Sequence, residues 1–331
     1  MVKKLLKNKK LRGILQIGLS LSLLIFLISR VGLNEIIRVF TEINPLWYLL
    51  AFLLFQANII IRAYRWTILL HSLNTRPPFR HMVYLYYLGF FANNFIPTGF
   101  GGDVVKVLNI RQKYGRGANA LSSVMMDRLT GLLGTSLIAL AALIWNSVTQ
   151  TDTDLPGALW SLITFISLAI PTAFLLIRWT NPIAFLEKHI PAVQKLPLYN
   201  KIKELVETVN QYPLPVLLKA LTISLPFTLN LILIQYAIAR ALGVNLPLSL
   251  FSLFAPLIAI VNLLPISFNG LGTREAVYLL LYTPIGVPVA NAIAMSLAYY
   301  FLRFGSGLIG GLAYLLKTLL HMIQSPQPEQ L

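Results

Sequence analysis

The sequence predicts an all-α polytopic membrane protein, with about six full transmembrane helices and two re-entrant helical hairpins in an inverted-topology repeat. Three observations lead there. Apolar residues fall in long blocks, basic residues gather on alternate connections, and one Pro–Gly turn occurs twice with the same spacing.

The composition excludes a soluble domain. Hydrophobic residues make up 56% of the chain and charged residues 11%, with a mean hydropathy of +0.72. So few charges could not cover the surface of a water-soluble fold of 331 residues. Crossing ~30 Å of hydrocarbon takes roughly 20 mostly apolar residues as a helix. Blocks of that kind lie at 13–29, 46–70, 119–145, 158–178, 216–240 and 289–316. Two further blocks, 83–97 and 248–266, are shorter and end at prolines.

The basic stretch Met1 to Arg12 leads into the first block without a small-residue cleavage site at Ser29-Arg30-Val31, which reads as an uncleaved anchor. A net charge of +16 could suggest nucleic acid. The positive charges sit in short loops between apolar blocks, however, as expected for cytoplasmic loops facing anionic lipid. With the N-terminus in the cytoplasm and six alternating crossings, the inner side holds Lys3 to Arg12, Arg62 to Arg80, Lys106 to Arg116, Arg178 to Lys203, Lys219 and Lys317. These are most of the 27 Lys and Arg residues, and both termini are then cytoplasmic in a plasma-membrane protein. Arg30, Arg38, Arg240 and Arg274 fall outside, and Arg128 and Arg303 fall within blocks.

This assignment requires that the two short blocks do not cross. Block 83–97 has Arg76 and Arg80 before it and Lys106, Arg111, Lys113 and Arg116 after it, so both flanks belong on the same side. A re-entrant segment turning at Pro97 satisfies them, provided that its backbone is buried in protein or lines a polar cavity. The turn has a counterpart. Asn94, Pro97, Phe100, Gly102 and Lys106 match Asn262, Pro265, Phe268, Gly270 and Arg274 in the pattern N-x-x-P-x-x-F-x-G-x-x-x-(K/R), 168 residues apart. The repeat halves run approximately 46–145 and 216–316. Under the charge-derived topology they enter from opposite faces, an arrangement that transporters use to build substrate sites near the midplane.

One stretch, 182–212, reads as an interfacial amphipathic segment. Leu198, Ile202, Leu205, Val206 and Val209 form one apolar helical face there. It is too short to be a catalytic domain. The whole of 1–320 therefore reads as a single transmembrane domain, and 321–331 as a disordered tail.

Ionisable groups deep in a span are costly and so point to function or to a structural ion pair. Asp127 and Arg128 lie in one block and Arg303 in another. Asp127 could pair with Arg128 or Arg303. After Gly101-Gly102, Asp103 could cap a half-helix, and Thr273 could cap one that starts at Arg274. Free N–H groups at such starts attract anions, with Lys106 and Arg274 close by.

The chain has no cysteine, which excludes disulfides, zinc thiolates and cysteine nucleophiles. The four histidines form no H-x-x-x-H pair, and Gly99-Phe100-Gly101-Gly102 lacks the third glycine and the strand of a dinucleotide fingerprint. No cofactor is expected. Gly307 and Gly311 form a small-residue face suited to internal packing or to a homodimer contact.

Asn93-Asn94-Phe95-Ile96-Pro97 with Gly101-Gly102-Asp103, Asp127-Arg128 with Gly131, the run from Pro265 through Asn269 and Gly270 to Glu275, and Arg303 together resemble the flippase-like transmembrane region of lysylphosphatidylglycerol synthases. The resemblance covers about residues 10–318 and implies a lipid-translocating membrane protein, with the lipid unspecified. In the bifunctional relatives a cytoplasmic synthase makes the lipid. No such domain lies in these 331 residues, so translocation is implied and synthesis is not.

The leading expectation is a flippase, not an enzyme, for an anionic or phosphate-containing lipid. Asn94, Lys106, Arg128, Asn262, Arg274 and Arg303 would hold the headgroup and Asp127 would orient an arginine. With no nucleotide motif, transport would be passive or driven by an ion or a potential. One rival is a secondary transporter of a water-soluble anion. Another is a membrane enzyme on lipid-linked substrates, using Asp103, Asp127 or Glu275.

Overall fold

The computed structural model describes residues 33–96, 100–149, 157–180, 199–262 and 270–324, together with 22, 183, 187 and 188. Among the described residues every element is helical, with eleven α-helices and one short 3-10 turn at Thr283–Ile285. Five helices are long and apolar enough to cross a bilayer. The sixth expected span, 13–29, lies outside the described residues.

A short amphipathic helix, α1 (Leu33–Thr41), precedes the first described span. Its Phe40 meets Phe301 edge-on with centroids 6.0 Å apart. Span α2 (Pro45–Ser72) starts where Asn44 accepts the backbone N–H groups of Leu46 and Trp47 at 3.0 and 3.3 Å, with Pro45 supplying the preset φ of a first turn.

Helices α3 (Phe79–Phe95) and α4 (Gly101–Tyr114) follow. At a rise of 1.5 Å per residue, even the 17 residues of α3 reach only about 26 Å, short of the ~30 Å hydrocarbon core. The two form an antiparallel hairpin. Gly102 N–H donates to Asn93 Oδ1 at 2.7 Å, Lys106 Nζ lies 3.7 Å from the centre of the Tyr86 ring, and His81 meets Asn109 at 2.9 Å. The apex depends on glycine, because a Cβ at Gly102 would lie 2.4 Å from the Gly89 carbonyl oxygen. Pro97, Thr98 and Gly99 of the turn lie outside the described residues.

Spans α5 (Gly117–Thr149) and α6 (Gly157–Trp179) come next. Then α7 (Tyr199–Gln211) covers the described part of the amphipathic stretch. Its apolar face is occupied by protein. Val209 and Tyr212 are buried with Leu69, Met126, Leu217 and Ala220, and Val206 with Ile183 and Tyr199. The side chain of Ile202 and the whole of Leu198 lie outside the described residues.

Span α8 (Leu214–Ala241) runs antiparallel to α2. Asn44 pairs with Ala241, Asn58 with Asn230 and Arg65 with Ser224, so one residue number falls as the other rises. Helices α9 (Leu248–Val261) and α10 (Thr273–Tyr282) form the second short pair. Phe254 packs on Tyr282 at 5.1 Å, and the side chain of Asn262 approaches Gly270. Gly270 and Gly272 have φ of +83° and +81°, which a side chain would strain. Asn269 and Pro265 lie outside the described residues.

The last helix, α11 (Val289–Gln324), runs past residue 321, where the sequence predicts the start of a disordered tail. Residues 325–331 lie outside the described residues. The short helix α3 packs on α11, and α9 packs on α5. The Gly307 and Gly311 face is occupied by α3. A Cβ at Gly311 would lie 2.3 Å from the Phe91 ring, which leaves no room on that face for a second copy of the chain.

Candidate functional site

Five helices turn polar side chains toward one another where apolar spans would be expected. On α2, Asn58, Arg62 and Arg65 stand at i, i+4 and i+7, on one helical face. Tyr86, Gly89, Phe90 and Asn93 do the same on α3. Helix α4 adds Gly102, Asp103 and Lys106, α5 adds Asp127, Arg128, Gly131 and Thr135, and α11 adds Tyr299 and Arg303. With Phe227 and Leu231 of α8, Ala259 of α9 and Asn262 just after it, these residues line a cavity of about 180 Å³. A single water needs only about 10–15 Å³, so the cavity has room for several waters or a compact headgroup.

The cavity lies at mid-depth. Arg62 falls near the middle of α2, Gly131 to Thr135 near that of α5, Phe227 near that of α8 and Arg303 near that of the crossing part of α11.

Two carboxylates organise the charges. Asp127 is buried and accepts from Arg65 Nε at 2.6 Å through Oδ1, and from the Tyr86 hydroxyl at 2.6 Å through Oδ2. Arg65 Nη1 also donates to Ser224 Oγ at 2.9 Å. Asp103 accepts from Lys106 Nζ at 3.2 Å and from Arg128 Nε at 2.5 Å, with Arg128 Nη2 on the same oxygen. Lys106 additionally faces the Tyr86 ring, and Arg128 lies 4.2 Å from the centre of the Phe100 ring. Both arrangements are cation–π contacts, worth most in a desolvated site.

Arg62 is held differently. Its guanidinium carbon lies 5.4 Å from the Tyr86 ring centre, 5.8 Å from Phe90 and 5.7 Å from Phe227. Its Nε–H is buried without a hydrogen-bond partner among the described residues. Among the described residues the lining thus carries five cationic side chains (Arg62, Arg65, Lys106, Arg128, Arg303) against Asp103 and Asp127.

The structure brings Gly102, Asp103, Lys106, Asp127, Arg128, Asn262 and Arg303 to this cavity, all named from sequence. It corrects the expected pairing. Asp127 holds Arg65, and Arg128 belongs to Asp103. Asp103 is not a cap, since it sits in the first turn of α4 with its carboxylate engaged by two cations.

Other expected residues lie elsewhere. Asn94 donates to the Phe304 carbonyl at 3.4 Å and fastens α3 to α11. Gly101 packs on Ile96. Gly270 makes the turn beside Asn262. Arg274 and Glu275 form a separate, fully buried cluster. Their side chains meet at 3.2 Å, both bond to Ser296, and Glu275 Oε2 accepts the Gly272 N–H at 2.6 Å. That last bond, not Thr273, satisfies the start of α10.

Sequence reasoning missed Asn58, Arg62, Arg65, Tyr86, Asn93 and Tyr299. Arg62 and Arg65 had been counted as loop charges, although α2 continues to Ser72. The i, i+4, i+7 spacing of Asn58, Arg62 and Arg65 was the signal that could have found them.

A helical bundle with five candidate spans, a charged cavity at their mid-depth and two helical pairs too short to cross defines an integral, multi-pass membrane protein. The comparisons name the family. Residues 13–311 match the family described as "Lysylphosphatidylglycerol synthase TM region", and the chain belongs to it. It is also similar to a UPF0104 membrane protein of Pyrococcus horikoshii, 25% identical over 134 residues, 40% of each chain. A second UPF0104 membrane protein, from Methanocaldococcus jannaschii, is 28% identical over 98 residues, 30% of this chain and 29% of the relative. The aligned segments thus span well under half the length of these relatives. No solved structure matches the chain.

Proposed function

We propose that the protein is a flippase that moves a lipid with an anionic or phosphate-containing headgroup between leaflets. The observation that carries this reading is the cavity, where five cationic side chains face two carboxylates half-way along the spanning helices. An excess of ionisable groups at that depth is costly, and groups held there at such cost mark a substrate path. Family membership supports the reading, because the family is the membrane region of the synthases and not their catalytic domain. The headgroup would enter the cavity while the acyl or prenyl chains stay in the bilayer.

The architecture fits an inverted repeat around that site. Spans α2 and α8, each 28 residues long, lie antiparallel and meet through Asn58 and Asn230 near their centres. The pairing of α3 with α11 has its counterpart in the pairing of α9 with α5. An inverted repeat would relate these contacts by a pseudo-two-fold axis in the membrane plane, passing between α2 and α8. On this reading α3–α4 and α9–α10 are re-entrant hairpins entering from opposite faces, and both termini are cytoplasmic.

Reconstitution tests the proposal. Proteoliposomes carrying fluorescent anionic lipids in both leaflets are treated with a membrane-impermeant quencher. Quenching beyond the outer-leaflet half is expected with protein and not with empty vesicles. Absence of that excess for every anionic lipid, with uptake of a water-soluble anion in its place, would make the protein a solute carrier.

A further inference from the structure

Resting on the flippase reading, we infer that the cavity selects a headgroup with two or more negative charges, a phosphomonoester or a diphosphate, over a singly charged phosphodiester or a cationic headgroup. Each lining carboxylate is already engaged, Asp127 by Arg65 and Asp103 by Lys106 and Arg128. Among the described lining residues, five cations against two carboxylates leave an excess of three positive charges.

Arg62 makes the excess local. Aromatic rings from α3 and α8, not carboxylates, surround its guanidinium, and its buried Nε–H has no partner among the described residues. Rings attract the charge but accept none of its in-plane hydrogen bonds, so those donors suit an oxyanion. A guanidinium presenting several N–H groups matches phosphate oxygens better than a point charge would.

Magnitude separates the candidates. A phosphomonoester carries about −1.5 to −2 near pH 7, and a diphosphate more. A phosphodiester such as phosphatidylglycerol carries one negative charge and leaves most of the excess unbalanced. Adding a lysyl group makes that headgroup net positive, which adds to the excess. In a low-dielectric cavity unbalanced charge is the dominant cost, so the order of preference follows the order of anionic charge. The cavity volume of about 180 Å³ suits a compact headgroup of this kind.

The test is binding by the purified full-length protein in detergent, followed by thermal shift and by titration. The probes are farnesyl diphosphate, short-chain phosphatidic acid, short-chain phosphatidylglycerol, its lysyl ester and inorganic pyrophosphate. Farnesyl diphosphate and phosphatidic acid are expected to bind at least about tenfold tighter than phosphatidylglycerol, and the lysyl ester weakest, the scale of one charge-assisted contact. Arg62→Gln should remove most of that preference, and Arg62→Lys should restore part of it. Should Arg62→Gln fail to fold, the order of the probes on the unaltered protein and on Arg62→Lys decides the matter alone.

Equal binding of phosphatidylglycerol and farnesyl diphosphate would overturn the inference, even where proteoliposomes show that phosphatidylglycerol is moved and the flippase reading stands. Tighter binding of the lysyl ester would overturn it as well. Pyrophosphate binding as tightly as farnesyl diphosphate would uphold the charge selectivity and count against a lipid source for the ligand.

Discussion

Arg65 and Asp127, 62 residues apart in sequence, meet inside the helical bundle with Nε and Oδ1 2.6 Å apart. The pair joins α2 to α5, the Tyr86 hydroxyl ties α3 to the same carboxylate, and Ser224 brings α8 to the arginine. One buried ion pair therefore fixes four of the helices around the cavity.

Replacing Asp127 with Asn leaves Arg65 buried without its counter-charge, which costs about 3–5 kcal/mol. Thermal unfolding in detergent should show this loss. Arg65→Met combined with Asp127→Leu should be less destabilised than the sum of the single changes, by roughly 1–3 kcal/mol. Additive effects would mean that the two groups do not act as a pair.

Arg128 and Arg303 line the cavity from α5 and α11. Arg128→Leu and Arg303→Leu are each expected to abolish lipid movement in proteoliposomes while membrane insertion and the unfolding transition persist. Normal transport by both variants would remove them from the anion site.

The apex of the first hairpin has no space for a methyl group. A Cβ at Gly102 would sit 2.4 Å from the Gly89 carbonyl oxygen and 2.9 Å from Asn93 Nδ2. Gly102→Ala should therefore cost about 1–3 kcal/mol through overpacking and shift Asp103 and Lys106 away from the cavity. The readouts are the unfolding temperature and anion affinity, and both should fall together.

Glu275 lies in a separate buried cluster with Arg274, Ser296 and the Gly272 N–H. Glu275→Gln should lower stability by about 3–5 kcal/mol, because Arg274 loses its only close carboxylate among the described residues. Anion affinity of the folded fraction, measured by titration, should stay unchanged. A selective loss of affinity would return Glu275 to the binding site.

Much of the bundle could be read before folding because bilayer crossing is a local property. Twenty apolar residues in a row announce themselves without reference to anything distant. Accordingly the blocks 46–70, 119–145, 158–178, 216–240 and 289–316 correspond closely to α2, α5, α6, α8 and α11. The helix α1 was missed because nine residues with charges at Glu35 and Arg38 resemble a loop, and their apolar side acquires meaning only against α11. Likewise the face of α7 was read as lipid-facing until Val209 and Tyr212 found Leu69 and Met126.

By itself the sequence determined a multi-pass membrane protein with polar, ionisable groups where apolar ones belong, since both follow from composition and local order. Only the tertiary structure decided which charges meet. Asp127 chose Arg65 over its neighbour Arg128, Asp103 took Arg128, and Arg274 with Glu275 left the cavity for a cluster of their own. Adjacent residues on a helix point about 100° apart, so Asp127 and Arg128 face different partners. Pairing inside the bilayer is settled by which helix faces turn toward each other.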